Sequence, residues 1–193
     1  MQKTILFLLL AGLAGAATAR PDIEPVARTC NGCHGIGGVS VAAPMPSIGG
    51  LPRDYLKRVM KQWKYDERSS ITMGRIVKGL SDDQLDALAD YFSKQPWVPA
   101  PQPASADAMT KGKAVAAADC RDCHGLAGDD PDVDAPRIDG QWAGYMELEL
   151  LKYRHAEFKL PHRKMRQAAR NMKADEVSAA SRYFGAQAGA QGK

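Results

Sequence analysis

The pentapeptide Cys-x-x-Cys-His occurs twice, as C-N-G-C-H at 30–34 and C-R-D-C-H at 120–124, and the two copies use all four cysteines of the 193-residue chain. Two thiols three positions apart, with an imidazole directly after the second, have few chemical uses. Zinc ribbons pair Cys-x-x-Cys units but need no histidine after each one. A redox dithiol needs one such pair in a strand–helix setting, and no βαβ pattern surrounds either copy. Attachment of c-type haem explains the whole unit. The thiols form thioethers with the two vinyl groups of one porphyrin, and the adjacent histidine lies under the iron. Zinc and disulfides are the alternatives. The candidate attachment residues are therefore Cys30, Cys33, Cys120 and Cys123, with His34 and His124 as candidate axial ligands.

The N-terminus agrees with that chemistry. A single Lys3 precedes an apolar run from Ile5 to about Ala17, and Ala17-Thr18-Ala19 has the small-residue pattern of a cleavage site. Residues 1–19 read as a secretory signal peptide. An uncleaved anchor is the alternative, but the run is shorter than the ~20 residues that a span needs. No later segment has an apolar run long enough to span. The mature chain is expected in the periplasm, where cysteines are paired or otherwise occupied.

The chain is also an internal repeat. Cys30 and Cys120 stand ninety positions apart, and the same offset carries Pro46-Ser47-Ile48 onto Pro136-Arg137-Ile138 and Tyr55 onto Tyr145. After a two-residue insertion, Leu80-Ser81-Asp82-Asp83 falls on Met172-Lys173-Ala174-Asp175, and Tyr91-Phe92 on Tyr183-Phe184. Between the copies, Gln95 to Asp107 carries four prolines and reads as a semi-rigid connector. The expected domains are 20–99 and 100–193. Each is small for a hydrophobic core of its own, and the apolar face of a porphyrin supplies core material.

Helical patterns dominate and strand patterns are nearly absent, so the expected fold class is all-α, with two tandem units each wrapped round one haem. Pro52 to Lys64 and Gly144 to His155 read as matching amphipathic helices. Asp107 to Ala118 reads as a short helix entering the second motif. Ser81 and Gln84 form a capping box ahead of Leu85, Leu88, Ala89 and Phe92. A last helix is expected over Ala174 to Phe184.

The repeat also selects the second axial ligand among eight methionines. Met73 lies eight residues before Ser81, and Met165 lies eight before Lys173. These two alone match each other; Met60, Met146 and Met172 face leucines, and Met45 faces Ala135. Met73 and Met165 are thus the candidate sixth ligands, and methionine raises the reduction potential of such a centre. His162, three residues before Met165, is the alternative at the second centre. His155 has Tyr65 opposite it and reads as a partly exposed helical residue. The Pro46 and Pro136 carbonyls are the candidates to orient the ligand histidines. Arg75 and Arg166 follow the methionines closely, and pairing with haem propionates or a plain surface role fits either.

Two such units in tandem resemble the cytochrome c4 group over almost all of the mature chain. More narrowly, S-S-I-T-M-G-R-I-V-K-G-L-S at 69–81, with A-P-M-P-S-I and G-Q-W-A-G-Y, is similar to the dihaem subunit of flavocytochrome c sulfide dehydrogenase. The second unit, around R-K-M-R-Q-A-A-R-N-M, departs further from that pattern. The resemblance implies an electron-transfer subunit without sulfide chemistry of its own. It would receive electrons from a separate FAD-containing sulfide dehydrogenase subunit and pass them to a soluble acceptor. A free c4-type shuttle to a terminal oxidase is the second reading. A dihaem enzyme, a peroxidase or a thiosulfate-oxidising cytochrome, is the third, and it needs a vacant or displaceable sixth position.

No G-x-G-x-x-G occurs in a strand–helix context, so the chain itself has no dinucleotide fold for FAD. Formal net charge is +4, or +3 without Lys3. Lys152, Arg154, Lys159, Arg163, Lys164, Arg166, Arg170 and Lys173 crowd the segment around Met165. Such a run is most often a solvated face; around a haem edge it steers an acidic redox partner, a small soluble cytochrome or another acidic protein. Nucleic acid is a poor fit to an exported chain whose aromatics fall at core-like positions.

Overall fold

A computed structural model describes residues 22–133 and 135–188. The expected signal peptide lies outside the described residues. Among those residues the fold is helical throughout, with no strand. The first unit contains α1 (Glu24–His34), α2 (Arg53–Lys64), α3 (Ile71–Lys78) and α4 (Asp82–Ser93). The second contains α5 (Ala106–Val115), α6 (Arg121–His124), α7 (Ala143–Arg154), α8 (Arg163–Asn171) and α9 (Ala174–Gly185). A π-helical turn, Ala116–Cys120, joins α5 to α6 and delivers the second motif. The expected helix over 107–118 therefore does not stop at Ala118 but runs on through the motif to His124.

The repeat is structural down to single hydrogen bonds. Each motif helix ends at its histidine because the next residue is a glycine with φ near +75°, Gly35 (77°) and Gly125 (74°). An L side chain strains at such angles, and a Cβ on Gly35 would stand 1.8 Å from the Val39 carbonyl oxygen. Ile48 N–H donates to the Gly38 carbonyl at 2.8 Å, and Ile138 N–H to that of Gly128 at 2.8 Å. Gly50 N–H donates to Phe92 and Gly140 N–H to Phe184, both at 2.8 Å. Strap, motif and last helix are thus tied together identically in both halves.

The apolar spacing explains the packing. Leu85, Leu88, Ala89 and Phe92 are the buried face of α4, and the last three pack with Ala27, Leu51 and Leu56. Its capping box is present as expected: the Ser81 hydroxyl accepts from Gln84 N–H, and the Gln84 side chain accepts from Ser81 N–H. In the second unit Val115, Leu150, Ala169, Val177 and Ala180 pack together, with Tyr183 and Phe184 in an adjoining cluster. There α5 crosses α9 at Gly112, where a Cβ would lie 2.3 Å from the Ala179 carbonyl oxygen.

The proline-rich connector is not a free spacer. Ala100 N–H donates to Gly140 and Gln102 N–H to Gly185, both at 2.9 Å, and the Trp97 indole donates to the Asp139 carbonyl at 3.1 Å. The non-proline residues keep their amides, and the second unit uses them. Asp139 is fully buried under this strap, held by Arg137 through Nε at 2.6 Å and Nη2 at 3.0 Å.

Candidate metal centres

Both motif histidines are held alike. The His34 ring nitrogen Nδ1 lies 2.9 Å from the Pro46 carbonyl, and His124 Nδ1 lies 2.9 Å from the Pro136 carbonyl. A carbonyl only accepts, so Nδ1 carries the proton in each ring and Nε2 keeps its lone pair. Burial holds both imidazoles below their ordinary pKa, with the proline carbonyls acting in the opposite direction. Neutral rings with a fixed tautomer present the nitrogen that binds a metal. The sequence expectation for Pro46 and Pro136 is the geometry found.

The cysteines form no disulfide. Cys30 and Cys120 face their own helix carbonyls, with Sγ 3.8 Å from Val26 O and 3.9 Å from Val115 O. Burial raises the Cys30 thiol and pushes Cys120 up to about 12. A raised thiol pKa disfavours the thiolate at these two positions. Among the described residues, no three of His, Cys, Asp and Glu converge as a zinc site requires.

The methionines occupy equivalent places on helices that the apolar pattern does not reveal. Met73 lies in the first turn of α3, where the Ser70 hydroxyl accepts its amide N–H at 3.1 Å. Met165 lies in the first turn of α8, where His162 Nδ1 accepts its N–H at 3.2 Å. His162 is thus the N-cap of α8, in the place that Ser70 holds on α3. His155 follows the last residue of α7, exposed, 3.6 Å from Glu157. Arg75 is exposed. Arg166 turns its guanidinium to the Leu160 carbonyl.

A cavity of about 560 Å³ brings the second set together: Cys120, Cys123, His124, Met165 and His162 all line it. Its size falls within the ~300–1,000 Å³ typical of cofactor pockets, and its attachment thiols, neutral imidazole and thioether are the donor set of a c-type haem. The first unit helps to close it with Tyr55, Arg58, Val59, Gln62 and Arg68. Arg68, nearly buried, donates to the Tyr153 hydroxyl at 3.2 Å and to Glu149 at 3.3 Å, joining the units across the seam. Tyr55 and Tyr145 meet the same cluster; burial pushes the Tyr55 phenol up to about 12 and the Tyr145 phenol well above its ordinary value. The tyrosine pair was legible from the repeat, but the Arg68 contacts were not.

The basic segment is thinner in space than in sequence. Lys152 pairs with Glu149, Arg154 caps the carbonyls of Ala169 and Met172, and the Lys159 ammonium reaches the Asp66 carbonyl. Among the described residues, Arg163, Lys164 and Arg170 on α8 are exposed and have no ion pair.

Known proteins align with this architecture. The family model described as Cytochrome C oxidase, cbb3-type, subunit III matches residues 24–92. A thiosulfate dehydrogenase electron acceptor from Thiomonas intermedia (strain K12) is 32% identical over 161 residues, 78% of this chain and 74% of the relative. Cytochrome c4 from Pseudomonas aeruginosa is 32% identical over 165 residues, 80% of this chain and 82% of the relative. The cytochrome subunit of sulfide dehydrogenase from Chlorobaculum tepidum is 35% identical over 97 residues, 44% of this chain and 87% of the relative. The structure of reduced cytochrome c4 from Pseudomonas stutzeri superposes with a TM-score of 0.78 at 22% identity, over 88% of this chain and 98% of that one.

Proposed function

The chain belongs to the dihaem cytochrome c4 family, and from that premise we propose that it relays electrons from a sulfur-oxidising enzyme in the periplasm to an acidic acceptor. Its fold is two tandem class I cytochrome c units, and its cofactors are two haem c groups. Electron transfer follows from that cofactor content. The observation that carries the electron-transfer reading is the duplicated set of attachment thiols, oriented imidazole and capped methionine.

We assign the haems to Cys30 and Cys33, and to Cys120 and Cys123. His34 with Met73, and His124 with Met165, are the residues that would hold the two irons. Domains 20–99 and 100–193 each carry one pair, after removal of residues 1–19. When bound, the haem iron supplies a one-electron couple. The chain's own residues do the rest. The proline carbonyls fix the imidazoles, the thioethers favour the reduced state, and the apolar clusters exclude water. Held in this way from both sides by protein, the irons would keep no place for substrate, and the role would be carriage. Among the described residues no helix is long and apolar enough to cross a membrane.

The donor we propose is an FAD-containing sulfide dehydrogenase subunit, on the likeness of segment 69–81 and of the sulfide dehydrogenase cytochrome subunit. A free c4-type carrier is the second reading, and a specific observation favours it. The thiosulfate dehydrogenase acceptor and cytochrome c4 align over far more of the chain. Gentle isolation of the native protein from its own periplasm at low salt separates the two. A co-purifying flavoprotein reduced by sulfide supports the subunit. A lone dihaem protein, reduced by a thiosulfate-oxidising enzyme and not by sulfide with flavoprotein, supports the free carrier.

A further inference from the structure

We propose that Gln141, in the second unit, is a positioning residue for the axial histidine of the first, so that the first centre is tuned by the unit to which it does not belong. This rests on the assignment of His34 as an iron ligand.

Gln141 is 3% exposed, as is Ser47, ninety-four positions earlier. The Gln141 carbonyl Oε1 accepts Ser47 N–H at 3.0 Å, and its Nε2 donates to Ser47 O at 2.9 Å. The two bonds clamp one residue of the first unit's strap. Ser47 N–H and Pro46 C=O belong to the same peptide, which is planar and rigid. The other edge of that plane accepts the proton of His34 Nδ1 at 2.9 Å. Imidazole, peptide and Gln141 therefore form one continuous hydrogen-bonded chain.

Hydrogen bonds in series polarise one another. Donation by Ser47 N–H to Gln141 makes the Pro46 carbonyl a better acceptor. A better acceptor makes the His34 ring more electron-rich, which raises ligand basicity and stabilises the oxidised iron. The neighbouring Trp142 reinforces the strap without touching that peptide: its indole N–H donates to Ser40 O at 3.3 Å, and Ser40 N–H donates to the Ser47 hydroxyl at 3.1 Å.

The arrangement is one-sided. The repeat places Leu51 opposite Gln141, and a leucine cannot return the clamp. The second unit's strap is braced internally instead, by the Arg137–Asp139 pair.

The test is a spectroscopic redox titration of the intact holoprotein, with each wave assigned through Met73→His and Met165→His. Gln141→Leu should raise the first centre's midpoint by the equivalent of a two- to tenfold change in its reduction equilibrium, tenfold being about 59 mV, and leave the second unmoved. Trp142→Phe should move neither. If Gln141→Leu does not give folded holoprotein, Gln141→Met, close in shape and lacking both bonds, gives the same reading. A folded variant in which neither centre moves, or both move together, overturns the proposal. His34→Gly tests the premise separately: it should abolish the first centre's low-spin spectrum, and an unchanged spectrum removes the premise and the proposal with it.

Discussion

At the scale of single residues, the proposed thioether and imidazole ligands set the potential of each centre. Exchanging the thioether of Met73 or Met165 for an imidazole, Met73→His or Met165→His, should lower that centre's midpoint by more than the ~59 mV of a tenfold change. The other wave should stay in place. His162 is read here as a helix cap, since its Nδ1 is engaged by the Met165 amide. His162→Ser, which installs the first unit's cap, should therefore keep the methionine–iron charge-transfer band of the second centre. Loss of that band on this substitution would make His162 the ligand. The repeat isolates the two methionines, and the structure places both in the first turn of equivalent helices. Gln141 was not, because a glutamine becomes informative only when its partner ninety-four positions away is known to touch it.

At the scale of elements, α2, α4, α5, α7 and α9 were readable, whereas α1 and the helices that carry Met73 and Met165 were not. Helix α4 has its capping box and apolar spacing on the page, and Ser81→Ala should cost about 1 kcal/mol of stability in thermal or urea unfolding. Helix α8 reads R-K-M-R-Q-A-A-R-N: its charges do recur at helical spacing, but it has few apolar residues, only Ala169 is buried, and its histidine cap is not a usual start signal. The connector runs without helix or strand, as its prolines imply, but proline counts report stiffness, not whether the intervening amides find partners. At the α5–α9 crossing, Gly112→Ala should destabilise the protein by about 1–3 kcal/mol through overpacking, although alanine is the better helix former.

Acid should weaken the contact of α2 with α4. Side-chain hydrogen bonds from Lys64, Tyr65 and Lys61 hold the Asp82 carboxyl well below its ordinary range. A depressed folded value means that this stabilisation is complete above the unfolded value near 3.9 and is lost as pH falls through the folded one. Asp82→Asn should flatten the fall in stability below about pH 4 in circular-dichroism acid titrations, and salt should weaken the contrast because the group is exposed.

At the scale of the whole molecule, duplication builds a seam through which one unit completes the other. Arg68, Gln141 and Trp142 act only because both units are present, and no reading of one copy alone exposes them. The same duplication has diverged on the outside. Helix α3 opens with Ile71, 80% exposed, where α8 opens with Arg163 and Lys164. Electron transfer to an acidic acceptor should therefore slow as salt rises. The double variant Lys164→Glu, Arg170→Glu should slow it further at low salt in stopped-flow mixing, with little effect at high salt. Rates that stay flat with ionic strength would remove the second unit's basic face as the docking surface.

The measurement that bears most directly on the account is an optical redox titration of the native protein, with carbon monoxide added to the reduced form. Two one-electron waves, a methionine–iron charge-transfer band from each oxidised haem and no rapid carbon monoxide binding are the results this account predicts. One haem lacking that band and binding carbon monoxide at once would contradict a pure carrier and make that centre a site of chemistry.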